Sequence, residues 1–130
     1  MSARLPRTLA VLLALYAASS LTHFAHNAAY LADYPNLPAW LTRADVYLAF
    51  LAETLVGLSG LTLLVRGEVR VGLLILALYA LLGFDGLAHY QRAPFAAHTP
   101  LMNFTILTEV AAAALLIIYL GVLARAGRRA

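Results

Sequence analysis

Four apolar blocks, each long enough to cross a bilayer, constrain this chain more than any other feature of its sequence. They run from Leu9 to Ala18 and on toward Tyr30, from Val46 to Val65, from Val71 to Leu87, and from Leu101 to Leu123. A helix needs about 20 residues to traverse the hydrocarbon core, and each block with its flanks reaches that length. The expected fold class is all-α, a four-transmembrane-helix bundle forming a single integral membrane domain over residues 1–130. The composition, 63% hydrophobic and 12% charged, lies far outside the soluble range and agrees.

Local signals set the boundaries. Pro6 stands where a first helical turn tolerates proline, and Pro35 and Pro38 keep the first helix from running into the second. Thr42 followed by Asp45 has the spacing of a capping box, and Thr99-Pro100 reads as an N-cap with proline in the first helical position. Gly67, within Arg66-Gly67-Glu68, supplies a tight turn between the second and third helices. These signals predict spans near 8–30, 43–65, 70–91 and 99–123.

Arginine predicts orientation, because short loops rich in Lys or Arg stay cytoplasmic. Of the nine basic residues, only Arg43 and Arg92 fall on one side, whereas Arg4, Arg7, Arg66, Arg70, Arg125, Arg128 and Arg129 fall on the other. Both termini are therefore expected on the cytoplasmic side of the inner (plasma) membrane. Tyr30, Tyr34, Trp40 and Tyr47 cluster at the first outer loop, as an interfacial aromatic belt does. The basic balance reports topology and anionic lipid, and nothing else in the sequence supports nucleic-acid binding. A rival reading of the first twenty residues is a signal peptide cut near Ala17-Ala18-Ser19, but the apolar helix continues past that site. Without cysteine, disulfides and thiolate chemistry are excluded.

Laying Thr22-His23-Phe24-Ala25-His26 over Asp85-Gly86-Leu87-Ala88-His89 aligns His26 with His89 and then pairs Glu53 with Glu109. This pattern suggests a duplicated helical hairpin.

Ionisable groups in hydrocarbon are costly unless paired, ligated or hydrated, so they mark candidate sites. At about 1.5 Å of rise per residue, His23 and Asp85 lie about 10 Å below the outer surface, and Glu53 and Glu109 about 15 Å below it. His26, Asn27, His89, His98 and Asn103 lie shallower, while the cytoplasmic half of every helix is nearly all apolar. His23, His26 and Asn27 share one helical face, Asp85 and His89 form an i, i+4 pair, and His98, Met102, Thr105 and Glu109 fall on one stripe. Glu53 shares its face with Ala49, Gly57 and Gly60, whose small side chains allow close helix approach.

The leading expectation is an outer-facing intramembrane site in which His23, His26, His89, His98, Glu53, Asp85 and Glu109 hold a transition metal, with Glu53, Glu109 and Asp85 as catalytic candidates. In outline this resembles the carboxylate-and-imidazole sites of helical-bundle metalloproteins, although the Glu-x-x-His pairs of those proteins are missing. The donor set suits Zn, Fe or Cu without choosing among them. Further readings are a metal-free acid–base enzyme acting on a lipid or isoprenoid, a proton or ion transporter working as a homo-oligomer, and a haem-b bundle or accessory subunit. The lipid bilayer, a lipophilic small molecule and further copies of the chain are the expected partners. Against all of these stands a structural reading: the shallow histidines are hydrated at headgroup level, His23 and Asp85 join helices, and Glu53 and Glu109 are bonded to Thr54, Thr105 or Thr108.

Overall fold

In a computed structural model, residues 5–126 are described and are entirely helical apart from turns and loops. The helices are α1 (Arg7–Ala29), α2 (Arg43–Val65), α3 (Val69–Leu82), a short α4 (Ala88–Arg92) and α5 (Pro100–Ala126). Four segments are long and apolar enough to cross a membrane: Arg7–Ala29, Arg43–Val65, Val69–Arg92 and Pro100–Ala126. The third contains a break. After α3 the chain passes through Gly83 and a 3-10 turn at Asp85–Leu87 before α4 resumes.

The boundary signals act as their chemistry requires. Thr42 and Asp45 form a reciprocal capping box at the start of α2, satisfying backbone N–H groups left without helical partners. Thr99 Oγ1 accepts from the Met102 N–H at 3.2 Å, with Pro100 in the first turn of α5. Gly67 turns the chain between α2 and α3 at φ +94°, a conformation that disfavours side chains. Asn36 adopts φ 58° and donates to the Arg92 carbonyl at 2.8 Å, joining the α1–α2 loop to the end of α4.

The helices close a ring in which α1 packs on α2 and α5, and α3 packs on α2 and α5. At the α2–α3 seam a Cβ on Gly60 would lie 2.9 Å from the Leu76 backbone nitrogen, and one on Gly72 only 2.7 Å from that of Leu64. The two backbones thus touch where larger residues would hold them apart. Glu53, Gly57 and Gly60 are buried as the sequence suggests, but Ala49 is exposed.

Packing divides the bundle along its length. Toward the ends near Arg7, Arg66 and Arg70, Leu9, Leu64, Leu76, Ala113, Leu116 and Leu120 form a dry core. The opposite end has a smaller cluster of Tyr34, Met102 and Ile106, with Leu37 and Tyr90 against it. Outward, Val11, Leu48, Leu55, Leu74, Phe104 and Ile118 are each more than half exposed, an apolar surface consistent with a membrane protein. Tyr34 is not part of an exposed aromatic belt. It is 3% exposed and folds under the loop, whereas Trp40, Tyr30 and Tyr47 stay outside.

Candidate functional site

The site is organised by one face of α1. Tyr16, Ser20, His23 and Asn27 follow one another at spacings of four, three and four residues, which stacks them along a single stripe. That stripe faces the middle of the ring, and each of its members meets a polar group from another helix.

At the deep end the Tyr16 hydroxyl donates to the Glu53 carboxylate of α2 and lies 3.0 Å from the Tyr79 carbonyl. Ser20 Oγ donates to Glu53 Oε1 at 3.3 Å. One turn further, His23 Nδ1 pairs with Glu109 Oε2 of α5, and both side chains are at least 95% buried. Nearer the loops, Asn27 Nδ2 donates to His89 Nε2 at 3.1 Å. The His23 and His89 rings stand edge to face with centroids 5.6 Å apart.

Tyr34 covers this array from the loop end. Its ring lies 4.8 Å from that of His89, and its hydroxyl is 2.9 Å from His26 Nδ1. Burial pushes the Tyr34 hydroxyl up to about 12, so the phenol stays neutral. His98 folds inward, its ring 6.1 Å from that of His89, and its Nδ1–H donates to the Pro94 carbonyl at 3.1 Å. Asn103 fixes this corner by accepting from the Tyr90 hydroxyl at 2.9 Å and donating to the Phe95 carbonyl at 3.2 Å.

Several buried atoms have no partner: His23 Nε2, Glu109 Oε1, His89 Nδ1, Asn27 Oδ1 and His98 Nε2. Buried polar groups are nearly always satisfied, so a cluster of exceptions marks a place where a further molecule or ion would be welcomed. A cavity of about 50 Å³, lined by His23, Asn27, Asp85, Gly86, His89 and Glu109 among others, adjoins them. Gly86 makes room there, since a Cβ on it would lie 3.2 Å from His23 Cε1.

The structure therefore brings His23, His89, Asp85 and Glu109 to one cavity, with His98 against His89, and leaves the other candidates elsewhere. Glu53 belongs to the separate Tyr16–Ser20 cluster, and His26 is half-buried on Tyr34. Asp85 is not buried in the bundle. It occupies the 3-10 turn rather than a continuous helix, and its side chain is exposed at the rim of the cavity. Among the described residues no three His, Asp or Glu side chains converge on one ion position. Tyr34 and His98 both pack against His89 at the loop end of this group. The threonines do not serve the carboxylates: Thr54, Thr105 and Thr108 bond back to carbonyls of their own helices.

Tyr16, Ser20 and Tyr34 are site residues that sequence reasoning misses. Extending the His23 stripe back by one and two turns would find the first two, because Ser20 and Tyr16 are the residues that spacing selects. No local signal distinguishes Tyr34 from its interfacial neighbours. Compared with known proteins, the chain matches no protein-family model, no curated protein and no solved structure.

Proposed function

We propose that the protein is an integral membrane enzyme that moves a proton on a lipophilic substrate, using the His23–Glu109 pair as its acid–base centre. The observation that carries this reading is the pair itself: a buried carboxylate on His23 Nδ1, with His23 Nε2 unpartnered beside a cavity. When Glu109 accepts the Nδ1–H, the ring is fixed in the tautomer whose Nε2 holds a lone pair. That nitrogen takes a proton from the substrate, and the imidazolium so formed rests against the Glu109 carboxylate until it returns the proton. Lining the cavity with protein excludes water and strengthens the pairing.

In this reading the termini lie in the cytoplasm and the polar half of the bundle faces outward, as the arginine distribution predicts. Because the chain has no cysteine, single cysteines at Ala97 and Ala126 test that directly. An impermeant maleimide added to intact cells should label the first and spare the second. The hairpin duplication belongs to the same reading as a statement of origin, supported by the parallel placement of Glu53 and Glu109 on α2 and α5.

The test of function uses the purified protein in nanodiscs with a polar lipid extract in deuterated water. Mass spectrometry should find deuterium incorporated at a carbon position, or a rearranged lipid, and His23→Ala and Glu109→Gln should each abolish it. A wild-type protein that leaves every lipid unchanged sinks the proposal.

A second reading is favoured by the unpartnered ligand atoms His23 Nε2, His98 Nε2 and Glu109 Oε1. They are donors of the kind that Zn, Fe or Cu takes, and a bound ion would polarise the same substrate. Elemental analysis of detergent-purified protein decides it: less than a tenth of an equivalent of any transition metal removes this version. Transport is the weaker reading, since the polar stripe ends at Tyr16 and the dry core of Leu9, Leu76 and Leu116 offers no onward station. A haem between His23 and His89 is weaker still, as the cavity there is far smaller than a porphyrin.

A further inference from the structure

A groove of about 460 Å³ runs along the outside of the bundle beside the site, within the range of about 300–1,000 Å³ common for small-molecule sites. Phe24, Ala52, Val56 and Leu82 form its apolar walls, and its only charged residues are Glu53 and Asp85. It shares Phe24, Leu82 and Asp85 with the inner cavity that His23, His89 and Glu109 line, so the two spaces meet at Asp85. Glu53 is already held by Tyr16 and Ser20. Asp85 is exposed, and among the described residues it takes part in no ion pair. Among the described residues, no Lys, Arg or His lines the groove.

We propose that this groove is the lateral entrance to the site and that it receives a single-chain lipophilic amine. The hydrocarbon chain lies along Phe24, Val56 and Leu82, and the ammonium rests on Asp85. An isolated carboxylate at membrane depth is costly, and a cation of the opposite sign relieves that cost where a neutral or anionic head does not. His23, whose buried Nε2 has no partner, lines the same small cavity as Asp85, which brings it beside the head group. Because the groove lies on the lipid-facing outside of the bundle and shares Phe24, Leu82 and Asp85 with the cavity, a ligand already dissolved in the bilayer has a direct way in. The proposal rests on the acid–base reading of His23 and Glu109 for the fate of the bound amine, whereas its test reads binding alone.

The test places the full chain in phosphatidylcholine nanodiscs and titrates a tail-spin-labelled long-chain amine, with the matching alcohol and fatty acid as comparison probes. The amine should show an immobilised spectral component that the alcohol and fatty acid lack. Asp85→Asn, at an exposed position where the isosteric amide leaves packing intact, should weaken it at least ten-fold. Ala52→Trp, which fills the groove from a position exposed to lipid, should remove it. Glu109→Gln should keep amine immobilisation while losing carbon-bound isotope exchange in the polar lipid extract. Equal immobilisation in the Asp85→Asn protein, or equal immobilisation of the fatty acid, overturns the proposal. Amine binding without any isotope exchange in the wild type would instead overturn the acid–base reading and leave the groove assignment standing.

Discussion

Substituting Gly83 by alanine should destabilise the bundle by about 2–4 kcal/mol, and the reason lies in one tyrosine. Gly83 ends α3 with φ −65° and ψ −8°, a conformation open to any residue, so the backbone itself does not object to a side chain. The obstacle is steric. A Cβ there would lie 2.6 Å from both Cε2 and the hydroxyl oxygen of Tyr16. Tyr16 is fully buried, and its ring also packs on Tyr79 at a centroid distance of 4.6 Å, so it has little room to withdraw. Overpacking costs about 1–3 kcal/mol. Displacing the hydroxyl leaves Glu53 with only the 3.3 Å bond from Ser20, and an unsatisfied buried acceptor adds about 1–3 kcal/mol. Against this, alanine restricts the unfolded chain and returns about 0.4–1 kcal/mol. The unfavourable contributions win. Gly121→Ala is the internal control: nothing lies within 4 Å of its Cβ, so the helix-propensity gain of about 0.5–1 kcal/mol should appear undiminished. Reversible unfolding in mixed micelles, followed by circular dichroism, measures both. Combining Gly83→Ala with Tyr16→Phe should cost less than the sum of the single changes, because both act on the same hydroxyl. A Gly83→Ala protein within 0.5 kcal/mol of wild type would refute the placement of Tyr16 against the break in the third span.

Asn103→Ala should cost about 1–2 kcal/mol, since it strands the Tyr90 hydroxyl, while the Phe95 carbonyl keeps its bond from the His98 N–H; micelle unfolding measures this too, and a neutral result would mean that water replaces the amide. Raising pH probes Tyr34. Its phenol titrates near 10 when unfolded and at about 12 when folded, so between those values the folded state holds the proton that the unfolded state has lost. Stability should therefore be level below pH 10 and fall above it, and Tyr34→Phe should flatten that part of the decline. Gly86→Leu should keep the helical spectrum while abolishing isotope exchange, because its side chain would occupy the space beside His23 Cε1; full exchange in that variant would place the chemistry elsewhere.

Spans, caps and the Gly67 turn were legible in the sequence because each depends on a few neighbouring residues and on the solvent around them. The segregation of polar groups to one end was legible for the same reason: depth is a count of residues along a helix. Which polar groups meet was not. His23 pairs with Glu109 rather than with His26 or Glu53 because α1 packs against α5, and periodicity carries no information about neighbours in the ring. The exposure of Asp85 was not legible either, because the third span passes through a 3-10 turn at Asp85–Leu87 that leaves this residue at the rim of the cavity. Tyr16 was hidden by its chemistry, since a tyrosine in an apolar run reads as packing until a carboxylate is found at its hydroxyl.

In the proposed chemistry His23 offers a lone pair at Nε2 because Glu109 accepts its Nδ1–H. Nitrogen-15 magnetic resonance of histidine-labelled protein in bilayers measures this directly, with the His23 signals assigned by their loss in His23→Gln. The expected spectrum shows a protonated, hydrogen-bonded Nδ1 and a bare Nε2, with the pattern disturbed in Glu109→Gln. A His23 ring whose Nε2 carries the proton would contradict it.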